Sequence, residues 1–305
     1  MVKIAGLIVT YNPNFGVLKR NIDSCINQVS RIVIVDNASN NIKEVEKLQR
    51  EYGIDLLKLN KNIGIAGAQN KGFCFLKNKG YDWVLNLDQD SKIPSNLINS
   101  FENSNKLLKK TGIIAASYID KNWSEKKKKE FRENKHSTNI EKKRIVISSG
   151  NLVNVNAWYD VDGFDESLFI DFVDFDFDTK LIIAGYDIYQ INDVYIVHSI
   201  GSRITRGFLS KILLLPDIAT TSDHGVVRQY YIYRNSMIFY KRYSDLYKKK
   251  FLVLRTIFAT RRILLYKCKK EKFKSAFKGI IDGAKYSPNE DFKFQNIMKK
   301  IKKGG

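Results

Sequence analysis

Asp88-Gln89-Asp90 closes the apolar run WVLNLD at residues 83–88. Two carboxylates one residue apart at a strand end can point into one cleft. Hard oxygen ligands of that kind suit Mg2+ or Mn2+, which can bridge the phosphates of a nucleotide. Taken alone, the tripeptide also fits a loop cap or a solvated turn. A second concentration of acids lies between 159 and 179, with eight Asp and Glu and no Lys or Arg, in a chain of net charge +20. These acids alternate with Phe169, Phe172, Phe175 and Phe177, and a carboxylate wedged among rings needs a task or a partner. A helix starting near Val173 sets Asp171, Asp174 and Asp178 on one side and Asp176 about 200° from Asp174. Asp174 then falls in the first turn, where the helix dipole favours the ionised form of a general base. The alternative is a solvated acidic face.

Residues 62–72 (NIGIAGAQNKG) gather small side chains where a loop enters a helix. That allows close approach of a ligand to backbone amides, or equally tight helix-to-sheet packing. His198 ends the run VYIVHSIG as a candidate metal ligand or a structural histidine. Within HGVVRQYYIYRN, Arg228 and Arg234 are candidates to clamp a diphosphate, or surface arginines of an ordinary helix.

The elements that must hold these residues follow from periodicity. Strands are predicted at 3–10, 31–36, 54–59, 83–88, 112–117, 188–191 and 194–198, with regular structure resuming at 145–149. Helices are predicted from Leu18 to Val29, at 43–52, at 66–79, from an N-cap at Ser95 to Lys110, at 173–184 and from Val227 onward. Unbroken apolar runs such as RIVIVD indicate burial on both faces, so the alternation predicts an α/β fold with a mostly parallel sheet between helices. Ligands of such sheets sit at the carboxyl ends of the strands, where Thr10, Tyr11, Asn12, Asp36, Asn62, Gly64 and Asp88 fall. No GxGxxG follows the first strand, which removes the main support for a dinucleotide fold. Residues 119–143 read as a polar surface excursion.

The 305 residues, 44% hydrophobic, can bury a large core. Three scattered cysteines fit a reducing compartment better than a disulfide framework. No apolar run reaches spanning length and the N-terminus reads as a strand, so a cytoplasmic location is expected. Residues 241–305 carry 20 Lys and Arg against 5 Asp and Glu, or +15 of the total +20.

The order of these pieces resembles the family 2 glycosyltransferases, and within them the bacterial rhamnosyltransferase group. The matching segments are VTYN at 9–12, VDNAS at 35–39, NIGIAGAQNKG at 62–72, LDQDS at 87–91 and SSGNL at 148–152. GFDESLFIDFVDFDF at 163–177, VHSIG at 197–201 and RQYYIYRN at 228–235 complete the series. The resemblance implies a GT-A fold over residues 1–240, with a nucleotide-binding half at 1–117 and an acceptor half at 145–240. It implies an inverting transfer from a nucleotide-diphosphate sugar, dTDP-rhamnose or a UDP-sugar, to a saccharide or lipid-linked acceptor in cell-surface polysaccharide synthesis. By the same resemblance Thr10, Tyr11, Asn12, Asp36, Asn62, Gly64, Asn70 and Asp88 bind the donor nucleotide, and Arg228 and Arg234 its diphosphate. Asp88, Asp90 and His198 hold Mg2+ or Mn2+, and Ser149, Gly150 and Asp171 face the acceptor. Val173-Asp174 stands where many members have Glu-Asp, which makes Asp174 the base and Asp176 its rival.

The resemblance fades beyond 240, where 241–305 reads as a basic helical extension. Phe273, Phe277, Ile280, Ile281 and Ala284 fall on one helical face, with Lys274, Lys278 and Lys285 on another. An anionic membrane surface suits that pattern, and a solvated lysine-rich face is the plain alternative. Nucleic-acid binding is the rival reading of the charge, but no RRM, KH or helix-turn-helix signature accompanies it.

Overall fold

A computed structural model describes residues 2–120, 123–133, 139–198, 223–247, 254 and 256–303. The N-terminal part alternates β1 (Ile4–Thr10), α1 (Phe15–Cys25), β2 (Ile32–Asp36), α2 (Ile42–Tyr52), β3 (Asp55–Lys58), α3 (Gly64–Asn78) and β4 (Trp83–Asp88). There follow α4 (Leu97–Asn103), β5 (Thr111–Asp120), α5 (Glu125–Glu133), β6 (Ile140–Lys142), β7 (Asn151–Asn154) and α6 (Val155–Asp160). A 3-10 turn (Glu166–Leu168), α7 (Val173–Ile183) and β8 (Asp187–His198) complete the sheet region. Beyond it lie α8 (Val226–Arg242), α9 (Lys269–Lys285) and α10 (Phe292–Lys303).

The strands form one eight-stranded sheet in the order β3-β2-β1-β4-β7-β5-β8-β6. β1, β2, β3 and β4 run parallel, β7 runs antiparallel between β4 and β5, and β6 is antiparallel to β8. Every residue of β1 and β2 is buried, which is why their sequences are unbroken apolar runs. Each face of the sheet carries its own apolar core, one built around Leu7 and Phe73 and the other around Ile8, Ile34 and Phe101. α3 lies so close to β1 that a Cβ on Gly72 would sit 2.3 Å from a Leu7 methyl. The α/β architecture expected from the sequence is therefore present.

Four local expectations are corrected. Residues 145–149 form no regular element, because the Val146 N–H donates to the Asp178 carboxyl at 2.8 Å instead of to a strand neighbour; the strand comes later, as β7. The two short strands expected at 188–191 and 194–198 are one strand, β8, irregular where Ala116 and Ser117 face it. α4 begins after Ser95 and stops at Asn103, short of Lys110, because Asn105 adopts φ 55° and turns the chain toward β5. The polar excursion at 119–143 contains α5 and the edge strand β6.

The basic C-terminal segment packs back on the catalytic region, and the expected boundary at 240 falls inside α8. At the end of α8, buried Arg242 pairs with Asp165, with Asp176 of α7 at 3.1 Å and with Asp291 before α10 at 2.8 Å. Burial opposes the charge of Arg242, but Asp176 and Asp165 hold its pKa well above the usual value. Arg242 in turn keeps Asp165 ionised down to about 2 against its own burial. No described helix is long and apolar enough to cross a membrane.

Candidate active site

The cleft forms at the carboxyl ends of β1, β2 and β4, where the parallel strands end in polar residues. Asp36 ends β2 and is buried; it accepts from the Thr10 hydroxyl at 2.9 Å, the Ser39 hydroxyl at 2.5 Å and the Ser39 N–H at 2.9 Å. Asn12, at φ 48°, ties its loop to the next: its N–H donates to the Ser39 hydroxyl and its side-chain oxygen accepts from the Asn40 N–H, each at 2.8 Å. Tyr11 stays exposed beside them, while its N–H donates to Gln89 at 2.8 Å. The middle residue of Asp88-Gln89-Asp90 thus joins the end of β4 to the end of β1.

Asp88 is half-buried and Asp90 exposed. The Asp88 carbonyl accepts from Asn21 at 2.7 Å, and its N–H donates to the Ser149 hydroxyl at 3.2 Å. Ser149 is buried and also bonds Ser91. It therefore ties the carboxylate turn to the start of β7. Gly150 continues this support, with φ 80° and its N–H on the Asn86 carbonyl at 2.9 Å.

Opposite this turn stands α7. Phe169, Asp171 and Phe172, just before it, all have φ near 64°, a conformation that costs ordinary residues about 1–2 kcal/mol each. Neighbours on two sides hold them there. The Ile65 N–H donates to the Phe169 carbonyl at 2.8 Å. The buried Asn235 amide of α8 donates to the carbonyls of Leu168, Ile170 and Asp171 at 2.7, 2.8 and 3.0 Å. Asp174 emerges in the first turn, its carboxylate accepting from the Phe175 N–H at 3.0 Å. Burial pushes its pKa up to about 6; the Phe175 N–H resists, and the charges of Asp171 and Asp88 push it further up. Loss of water and two neighbouring acids outweigh the favourable amide, so the group is a stronger base than an ordinary aspartate and still ionised at neutral pH.

Asp176 points the other way, as the helical period predicts. It is buried, accepts from Tyr243 at 2.8 Å and Arg242 at 3.1 Å, and lies 3.4 Å from the Lys180 ammonium. Its carboxylate is committed to the fold and does not reach the cleft, which removes it as rival base. Asp178, one turn beyond Asp174, is buried against the Val146 N–H, and burial raises its pKa well above the carboxylate range.

The remaining expectations divide. Asn62 and Gly64 meet at the mouth of α3, where the Asn37 side chain donates to the Asn62 side-chain oxygen at 2.9 Å and to the Gly64 carbonyl at 3.1 Å. The N–H groups of Ile63, Gly64 and Ile65 are all taken by protein acceptors, and Gly72 lets α3 pack closely on Leu7. Asn70 fastens α3 to the Trp158–Glu166 segment through Phe164, Glu166 and Trp158. Arg228 forks onto Asp171 at 2.9–3.2 Å, and Arg234 stacks on Tyr231 and donates to the Ser167 carbonyl. Both arginines hold the strained loop in this state. The His198 side chain and residues 199–222 lie outside the described residues. Sequence reasoning noted Asn37 only as a polar strand end and missed Ser39, held by Asp36 and Asn12, as well as Asn235 and Arg242, whose partners are remote in the chain. Ser39 and Asn235 do fall within VDNAS and RQYYIYRN, the only signal they gave.

The family model for glycosyl transferase family 2 matches residues 7–168. The chain is also 31% identical over 252 residues to the dTDP-rhamnosyl transferase RfbF of Shigella flexneri, covering 78% of this chain and 80% of that one. This chain is a family 2 glycosyltransferase. Its relationship places it on the rhamnosyltransferase-like side of the family, as a nucleotide-sugar transferase. Two solved structures share the GT-A fold at low identity. GalNAc-T7, determined with UDP, GalNAc and Mn2+, superposes with a TM-score of 0.60 at 14% identity, over 98% of this chain and 56% of that one. The mannosyltransferase PcManGT of Pyrobaculum calidifontis, with GDP-Man and Mn2+, gives 0.55 at 13% identity over 98% and 85%. The glycosyltransferase thus spans little more than half the length of GalNAc-T7.

Proposed function

We propose that this glycosyltransferase transfers L-rhamnose from dTDP-rhamnose to a hydroxyl of a saccharide or lipid-linked acceptor, with Asp174 as base. The reading is supported by the place of Asp174 in the first turn of α7, behind the Phe169–Phe172 loop, with its carboxylate on the Phe175 N–H and its pKa raised to about 6. A carboxylate titrating near 6 is ionised at neutral pH yet basic enough to take a proton in the transition state. Asp174 accepts the proton of the acceptor hydroxyl as that oxygen bonds the anomeric carbon and the bond to the diphosphate breaks. A single displacement of this kind inverts the anomeric centre. Tyr11, Asn12 and Asn62 border the nucleotide end, with Asp36 and Thr10 holding their loops in place.

The donor set at β4 fits a divalent cation. Asp88 and Asp90 offer hard oxygens on an accessible turn and, with His198, would hold the cation. Mg2+ or Mn2+ would offset the charge left on the departing diphosphate. The relative's dTDP-rhamnosyl activity supports rhamnose as the sugar. A lipid-linked acceptor would bring the enzyme to the cytoplasmic face of the membrane.

A donor screen tests this. Purified enzyme with Mg2+ or Mn2+ and saccharide acceptors should release nucleotide diphosphate from dTDP-rhamnose faster than from any UDP-sugar. Faster release from a UDP-sugar would replace the donor. No release from any nucleotide sugar, with salt-sensitive nucleic-acid binding, would overturn the reading in favour of the rival.

A further inference from the structure

α9 has three distinct faces. Ala276, Gly279 and Gly283 press it onto α8, so closely that a Cβ on Gly279 would lie 2.4 Å from the Tyr230 carbonyl. That contact fixes the rotation of the helix and turns another face to solvent. On that face Phe273, Phe277 and Ile281 recur every four residues as one stripe, with Phe277 62% exposed. Lys270, Lys274 and Lys278 form a parallel exposed stripe beside it. The two acids of the helix, Glu271 and Asp282, fall beyond the lysines on the helical wheel.

The preceding segment continues the pattern. Ile257, Phe258 and Leu264 are exposed, and the Arg261 guanidinium lies 3.5 Å over the Phe258 ring. Water is a poor environment for large apolar side chains gathered in this way. A rigid helix with an apolar stripe bordered by cations matches a bilayer interface, where rings enter the acyl boundary and lysines stay among headgroups.

We propose that this face of α9 docks the enzyme on an anionic lipid surface. Charge chooses the occupant. A symmetric pair of chains meeting on this face would set lysine stripe against lysine stripe. Nucleic acid would satisfy the lysines but leave the phenylalanines in water. Anionic lipid satisfies both, and segment 241–305 has a net charge of +15. The face rests on the proposed lipid-linked acceptor for its purpose, while its binding is measured without turnover.

The test is co-sedimentation of the full chain with phosphatidylcholine vesicles, with and without added phosphatidylglycerol. Wild type should bind the anionic vesicles and bind the neutral ones weakly. The triple change Phe273→Ser, Phe277→Ser, Ile281→Ser should lower binding by about tenfold or more. Lys270→Gln, Lys274→Gln, Lys278→Gln should lower it with the stripe intact. Both variants should keep wild-type release of nucleotide from the donor with a soluble acceptor, which also shows that they fold. Absence of wild-type binding, equal binding by the variants, or a wild-type dimer that the serine variant dissociates would overturn the proposal. Vesicle binding without sugar transfer from any donor would sink the functional reading and leave this face standing.

Discussion

Gly64 and Phe169 meet backbone to backbone. Gly64 has φ 80°, and a Cβ built on it would lie 2.4 Å from the Phe169 carbonyl oxygen and 2.8 Å from the Phe169 Cα. Through this contact the mouth of α3, the proposed nucleotide end, rests on the strained loop that precedes Asp174. The proposed donor and base ends of the site are therefore set against one another by a missing Cβ.

Gly64→Ala should accordingly disturb both halves. The methyl must push the Phe169 backbone away and strain φ as well, at a cost of about 2 kcal/mol. Chemical unfolding should show that loss, and kcat should fall because Asp174 moves with the loop. Gly53→Ala is the control, with φ 63° and open space around it; it should cost about 1 kcal/mol and leave kcat unchanged. Equal kcat in both variants would show that the contact does not position the base.

Asn235 should act on the same loop from the other side. Replacing it by Ala leaves the carbonyls of Leu168, Ile170 and Asp171 without their shared donor and should cost about 1–3 kcal/mol. The residue touches neither the nucleotide end nor Asp174, so kcat should drop with little change in donor KM. A rise in donor KM at constant kcat would place Asn235 in donor binding instead.

These two residues show where sequence reasoning stops. The helical period alone separates Asp174 from Asp176, because a difference of two positions is about 200° on any helix. The buried parallel strands are legible for a similar reason: apolar runs without alternation have no solvent face. Asn235 and Arg242 carry no local signal, since each is defined by partners far away in the chain, such as Ile170 for one and Asp165 for the other. The small residues at 62–72 fit a ligand or a packing contact equally until Phe169 is seen against Gly64. Likewise the helix dipole is visible from sequence, whereas the burial that overrides it at Asp174 is not.

Asp176 and Arg242 should behave as fold residues. Arg242→Ala strands Asp165 and Asp176 as buried charges and should destabilise the enzyme by about 3–5 kcal/mol. Asp176→Asn keeps the shape and much of the hydrogen bonding, and should lower the midpoint of unfolding while the folded protein retains near-normal kcat. Loss of transfer in stable Asp176→Asn would return that residue to the chemistry.

Asp174 should show the reverse: loss of activity with a gain in stability. Its pKa stands at about 6 in the fold against 3.8 for an ordinary aspartate. Below the lower value both states are protonated, and above the higher both are ionised. Between them the folded state holds more protons, so its stability falls as pH rises through that window. Asp174→Asn removes the buried charge and should raise stability at pH 7 by on the order of 2 kcal/mol, with no gain below pH 4. The same substitution should cut transfer by roughly 10²–10⁴-fold, since no group remains to take the proton. In the wild type the rate should climb with pH and level off above about 6, where the carboxylate is free of its proton. Asp171, Asp88 and Asp178 surround this group. In the metal-free enzyme Asp88→Asn removes one of the repelling charges and should lower the Asp174 pKa, read by NMR titration. Full turnover in Asp174→Asn would remove Asp174 as the base.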